Sequence, residues 1–295
     1  MESNQTLKYK CLSKLSSLEN TLFWSSILYF AFIFALYAGY VALIILIPFS
    51  PQFQSSFLLF LQTLPNSINL IFSLFLAFHL WVAVLLAFLT FISSLAADIV
   101  RKKSVKKHIL QLFPPLAKPV ALIVFLYVIM NIIGYIIGFF YPQIFESLFN
   151  LNRLPETASW DVAFLIFINN TKIIFMAIMF SFIIWVLPIL ITLSNGFTMG
   201  FVIEYSAKIE GFLYVLVGLL PHSIIEIPII LLGMGVSWQL GIKSAQIVFK
   251  KEKTDQFKKE FINAFWIFFL ILVPMLLIAA IIEVFITVPL LGLIR

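Results

Sequence analysis

Charge is scarce in this 295-residue chain: only 11% of the residues are charged, whereas 62% are hydrophobic. Soluble domains carry about 25% charged and about 45–50% apolar residues, so this chain has too little polar surface to cover itself in water. The composition therefore excludes a soluble enzyme and a disordered chain. It indicates an all-α, polytopic membrane protein.

Cysteine and the common catalytic motifs are also scarce. Cys11 is the single cysteine, which excludes an intrachain disulfide and a cysteine-based metal site. The sequence contains no P-loop, no H-E-x-x-H motif and no G-x-S-x-G motif. We therefore expect no cofactor and no metal ligands, and an enzymatic activity is the less favoured interpretation.

Long apolar runs dominate the chain, and a spanning helix needs about 20 such residues. The pattern predicts about seven spans, some of them broken or short, near residues 22–47, 68–97, 120–140, 163–185, 187–206, 212–241 and 261–294. One alternative stays open, in which 162–241 forms one crossing plus a re-entrant hairpin. The predicted regions are a cytoplasmic N-terminus (1–20), a two-span hairpin with its basic loop (21–110) and a five-span core (111–295).

Basic residues are concentrated at the N-terminus, in 101–118 and in 243–259, which hold three, six and six of the 19 Lys and Arg residues. Since short cytoplasmic loops carry an excess of Lys and Arg, these segments predict a cytoplasmic N-terminus and an external C-terminus in a cell membrane. We expect the loops at 101–107 and 243–259 to bind anionic headgroups of the bilayer. Neither loop interleaves aromatics with basic residues as an RNA or single-strand binder would, so no nucleic-acid partner is expected.

The sixth predicted span contains the strongest candidate for a site. His222 and Glu226 are four residues apart, which places them on one helical face. Pro221 and Pro228 flank the pair, and Pro221 predicts a kink or break before His222. Ionisable groups at membrane depth usually face the bundle interior and have partners. The candidate polar site comprises His222, Glu226, Asn195, Asn169 and Asn170. Both a structural role in interhelical hydrogen bonding and a functional role stay open.

Other intramembrane features predict packing. Gly196 and Gly200 form a G-x-x-x-G pattern, which lets two helices approach closely. Glu283 has no motif around it and is predicted to make interhelical hydrogen bonds. Glu204 and Lys208 are four residues apart and are predicted to pair near the outer surface.

Three segments together resemble the stage II sporulation protein M (SpoIIM) family of integral membrane proteins over about residues 118–292. The segments are Phe167-Ile168-Asn169-Asn170, Ser194-Asn195-Gly196-Phe197-Thr198-Met199-Gly200 and Leu220-Pro221-His222-Ser223-Ile224-Ile225-Glu226. The chain departs from the family pattern at Ser223, where members commonly have glycine. The resemblance implies a five-span core, to which the first 110 residues with two further spans are an addition.

The resemblance also implies a role. In spore-forming bacteria, members of the SpoIIM family act in a membrane complex with cell-wall-degrading partners. The first functional hypothesis is therefore a membrane-embedded component or scaffold of a cell-envelope assembly, with other envelope proteins or further copies of the chain as partners. The alternative is a transporter or channel with a midplane site at His222 and Glu226. An intramembrane hydrolase is the third class.

Overall fold

The computed structural model describes residues 2–46, 66–101, 104–142, 158–250 and 254–294. The secondary structure of these residues is helical, without a strand. Two predicted segments lie largely outside them: the loop after the first run and the polar segment 141–161. Parts of both basic loops also lie outside. The predicted all-helical fold class is confirmed for the described part of the chain.

Six helical stretches among the described residues are long and apolar enough to cross a membrane: Val82–Val100, Val105–Phe140, Trp160–Ser181, Leu187–Glu210, Phe212–Phe249 and Asp255–Gly292. Residues 162–241, for which a re-entrant hairpin was the alternative, thus hold three separate helices of spanning length. This supports three crossings over a single crossing plus a hairpin. The apolar run predicted as the first span lies partly outside the described residues.

Contacts divide the chain into two compact units, Met1–Val105 and Lys106–Arg295. The first unit contains α1 (Glu2–Leu46) and α2 (Asn66–Val100), which pack against each other. Phe23 and Ala87 are buried there, and the Tyr29 hydroxyl forms a hydrogen bond with His79 Nδ1.

The second unit contains α3 (Val105–Leu112) except for its first residue, a 3₁₀ turn at Pro114–Leu116 and α4 (Ala117–Phe140). Then come α5 (Trp160–Ser181), α6 (Leu187–Glu210) and α7 (Phe212–Lys250). The C-terminal span comprises α8 (Thr254–Ile267), a π turn at Phe268–Leu272, α9 (Val273–Ile282), a second π turn at Glu283–Thr287 and α10 (Val288–Gly292).

Helix directions in this unit can be read from the contacts. Along α4 and α6, Tyr127 lies beside Gly196 and Asn131 beside Gly200, so these two helices run parallel. By the same criterion α5 runs parallel to α7, and α7 runs antiparallel to the C-terminal span. These are the relative directions of alternating crossings. Which side is cytoplasmic stays a prediction.

Small residues bring α4 and α6 into backbone contact. A Cβ atom on Gly196 would lie 2.7 Å from the Tyr127 carbonyl oxygen, and one on Gly200 would overlap the Asn131 carbonyl. From the other side, a Cβ on Gly134 of α4 would overlap the Phe197 carbonyl. Glycine is therefore required on both helices of this interface.

A kink or break was predicted before His222, and the break is wrong, because α7 continues without interruption through Pro221 and Pro228. The kink stays a prediction. Each proline removes one backbone donor, whereas a full break would expose several unpaired groups to lipid. The irregular helix is instead the C-terminal span. Its π turns directly precede the first turns of α9 and α10, which contain Pro274 and Pro289.

The surface ion pair predicted between Glu204 and Lys208 is also wrong. Glu204 is only 4% exposed, and its Oε2 has no hydrogen-bond partner among the described residues. A Cβ on Gly138 would lie 3.2 Å from this oxygen, which shows that α4 covers the carboxyl group. Helical spacing alone did not reveal that this face of α6 is packed.

Candidate functional site

A cavity of about 630 Å³ lies among α4, α5, α6, α7 and the C-terminal span. Its wall is mostly apolar and carries a polar set drawn from all five elements. The polar members are Tyr127, Asn169, Asn170, Asn195, Thr198, His222, Ser223, Glu226 and Glu283. The five residues of the candidate polar site thus line one cavity, although the sequence separates them by up to 57 positions. What they do there stays a prediction.

His222 and Glu226 lie on the same face of α7, one turn apart. His222 is 8% exposed, and its Nε2 lies 4.0 Å from Glu226 Oε2. Both side chains therefore face the protein interior rather than lipid. Their facing atoms are too far apart for a direct hydrogen bond.

Each of these two side chains is held by a hydrogen bond from another helix. Asn170 Nδ2 of α5 donates to Glu226 Oε1 at 2.7 Å. The Thr287 hydroxyl lies 3.3 Å from His222 Nδ1, in hydrogen-bond contact. Both bonds engage the atom that points away from the other member of the pair. Glu226 Oε2 and His222 Nε2 are thereby left to face each other.

The second π turn brings the C-terminal span into the site. It begins at Glu283, a cavity-lining carboxyl group, and ends at Thr287, the partner of His222. The Thr287 hydroxyl also donates to the Ile282 carbonyl five residues earlier, at 3.4 Å. Pro289 follows in the first turn of α10 and cannot continue the regular ladder. π turns inside α-helices occur frequently at functional sites.

Glu283, for which only interhelical hydrogen bonds were predicted, lies beside the His222 and Glu226 pair in the cavity. One ligand atom from each of His222, Glu226 and Glu283 can be chosen so that all three lie within 4.8 Å of one another. No metal ligand was predicted from the sequence, because it offers a single cysteine and no metal-binding motif. A carboxyl group supplies the third donor instead. The charge of Glu283 at membrane depth was the signal in the sequence that could have identified it. Nothing in the sequence pattern singles out Tyr127 or Thr287.

The chemistry of the cluster follows from its donors and from the side chains around it. An imidazole nitrogen and two carboxyl groups can accept protons or bind a cation. No Lys or Arg is among the described residues that line the cavity. Among these residues the two carboxyl groups therefore have only the imidazole of His222 as a basic neighbour.

Comparison with known proteins places this site in a family. The family model described as stage II sporulation protein M, SpoIIM, matches residues 120–288. The chain belongs to the SpoIIM family. All members of the cluster and their hydrogen-bond partners lie inside the matched range, so the cavity is a feature of the SpoIIM core of this chain. No curated protein and no solved structure matches the chain.

Proposed function

We propose that this multipass membrane protein binds and transports a small ion or polar solute, and that the cavity of its SpoIIM core is the binding site. The observation that carries this proposal is the cavity of about 630 Å³ around His222, Glu226 and Glu283. Side chains that served only to join helices would be expected at a dry interface. A space of this size is large enough for a hydrated ion or a small solute.

The depth of the site supports the proposal. Asn170 lies ten residues after Trp160, the start of α5, and Glu283 lies nine residues before Gly292, the end of α10. At a rise of about 1.5 Å per residue, both positions are about 15 Å from the same end of the bundle. The hydrocarbon core is about 30 Å thick, so the cluster lies near its middle. Transporters commonly hold their substrates and coupling ions at this depth.

A flux experiment tests the proposal. Purified protein in liposomes should carry protons, metal cations or small solutes across the bilayer, and Glu226→Gln should abolish this flux. The control is Glu204→Gln, because Glu204 is a buried carboxyl group that does not line the cavity. Absence of flux over a broad screen of ions and solutes would contradict the proposal, as would equal flux in the Glu226→Gln protein.

The match to the SpoIIM family over residues 120–288 favours a second candidate, a membrane-embedded component of a cell-envelope assembly. The family resemblance implies membrane complexes with cell-wall-degrading partners. The two candidates are compatible, since a transporter can also be a subunit of an assembly. Crosslinking in native cells followed by gentle detergent extraction should recover other envelope proteins. Recovery of the chain only as a monomer or homo-oligomer would count against the assembly.

A further inference from the structure

We propose that His222, Glu226 and Glu283 form a binding site for one divalent transition-metal ion, of the class of Zn²⁺ or Mn²⁺. The inference rests on the proposed function in that it names the ligand class of the same cavity. The metal would be bound by Nε2 of His222 and by one carboxylate oxygen of each glutamate. Open coordination positions would face the cavity, where water or a solute can occupy them.

The spacing of the donor atoms supports this assignment. One ligand atom from each of the three residues can be chosen so that all three lie within 4.8 Å of one another, and His222 Nε2 is 4.0 Å from Glu226 Oε2. Zinc binds nitrogen and oxygen at about 2.0–2.2 Å, which separates neighbouring tetrahedral ligands by roughly 3.4 Å. Closing the observed triangle onto a metal therefore needs movements of about 1 Å. Small side-chain torsions suffice for such movements.

The outer hydrogen bonds have the arrangement expected around a metal centre. A ligating histidine commonly uses its other ring nitrogen for a hydrogen bond, which fixes the tautomer and the ring orientation. Here Thr287 contacts Nδ1, so Nε2 is the free donor atom. Asn170 likewise holds Oε1 of Glu226 and leaves Oε2 directed at the histidine. These bonds orient both ligands before any metal arrives.

The charge of the two glutamates also favours a divalent cation. Two carboxylates within a few ångströms repel each other, and at membrane depth the repulsion is weakly screened. The described residues that line the cavity include no Lys or Arg to neutralise them. A divalent cation would neutralise both groups at once. The nitrogen donor favours a transition metal over Mg²⁺ or Ca²⁺, which prefer sites made of oxygen alone.

Metal binding to the full chain is the direct test. Protein purified in detergent is stripped with a chelator, dialysed against Zn²⁺ or Mn²⁺ alone, and assayed by elemental analysis and by calorimetric titration. The wild type should bind one equivalent. Glu283→Gln, Glu226→Gln and His222→Ala should each raise the Kd by more than about 100-fold, since loss of an outer partner alone typically costs about 10–100-fold.

Two further variants separate metal binding from folding. Thr287→Val removes only an outer partner and should raise the Kd by roughly 10–100-fold in a protein that still folds. Glu204→Gln removes a buried carboxyl group outside the cavity and should keep one equivalent at the wild-type Kd. Failure of the wild type to bind either metal overturns the inference. So does unchanged binding in Glu283→Gln, or binding of Mg²⁺ in preference to both transition metals.

The flux assay distinguishes failure of this inference from failure of the proposed function. If flux depends on Glu226 but no metal binds, the cavity is a proton or solute site and only the metal assignment is wrong. If one metal binds tightly and no flux occurs, the metal site stands and transport is wrong. If neither is seen, both proposals fail.

Discussion

Two interfaces within the SpoIIM core are built in opposite ways. Between α4 and α6, Gly134, Gly196 and Gly200 leave no space, and backbone lies against backbone. Around α7, polar groups such as Glu226 and His222 reach α5 and the C-terminal span, and a cavity separates the helices. In lipid no hydrophobic force holds helices together, so close packing must supply stability. The contrast indicates that the glycine interface stabilises the core, while the polar interface can keep space for a ligand.

Adding a side chain at the glycine interface between α4 and α6 should have the largest effect on stability. Gly200→Ala places a methyl group against the Asn131 carbonyl, which cannot move without shifting α4. We expect a loss of about 3 kcal/mol in the free energy of unfolding, at the upper end for overpacking. Thermal or denaturant unfolding in detergent measures it. The control is Gly292→Ala, where a Cβ would have no neighbour within 4 Å. Equal stability of the two variants would refute the packing argument.

Removing the imidazole should cost less, because the polar interface is not fully packed. His222→Ala deprives Thr287 of a partner and should lower the free energy of unfolding by about 1–3 kcal/mol. A double variant that combines His222→Ala with Thr287→Val tests whether the hydrogen bond between the two side chains causes this loss. If the hydrogen bond matters, the two changes should be non-additive by about 1 kcal/mol. Strict additivity would show that the contact contributes nothing.

Removing one charge sharpens the distinction between stability and function. Glu226→Gln keeps the acceptor oxygen for Asn170, so the melting temperature should stay close to that of the wild type. Ion or solute flux should nevertheless be lost. A variant that melts normally and transports normally would assign Glu226 a structural role. A large drop in melting temperature would show that the charge itself stabilises the bundle.

The smallest effect is expected at Pro221, a half-buried residue of the same helix that does not line the cavity. Pro221→Ala restores a backbone donor to a helix that is already continuous, so the free energy of unfolding should rise by no more than about 1 kcal/mol. Circular dichroism during thermal unfolding can detect the change. A marked loss of stability would mean that the proline shapes the helix in a way that its continuity conceals.

These two interfaces also show what the sequence can and cannot predict. Apolar runs located the helices, and charge at membrane depth singled out His222 and Glu226 with the asparagines nearby. The π turns were not predicted, because a proline in a helix can be accommodated by a kink or by a local bulge, and the residue types at Pro274 and Pro289 do not distinguish the two. Glu283 lies 57 residues after Glu226, and only the packing of the C-terminal span on α7 brings them together.

The π turn at Glu283–Thr287 makes the orientation of the chain beyond it depend on the number of residues in the turn. A π turn contains one residue more than an α turn, and each residue of an α-helix advances the angle by about 100°. The side chains after this turn therefore follow a different angular phase from those before it, as they do on the two sides of the earlier π turn at Phe268–Leu272. A deletion of one residue there would restore regular α-helix at this point and rotate everything beyond it by about 100°, so that side chains now directed at α7 would point elsewhere. The orientation of this end of the protein is thus encoded in a residue count as well as in residue types.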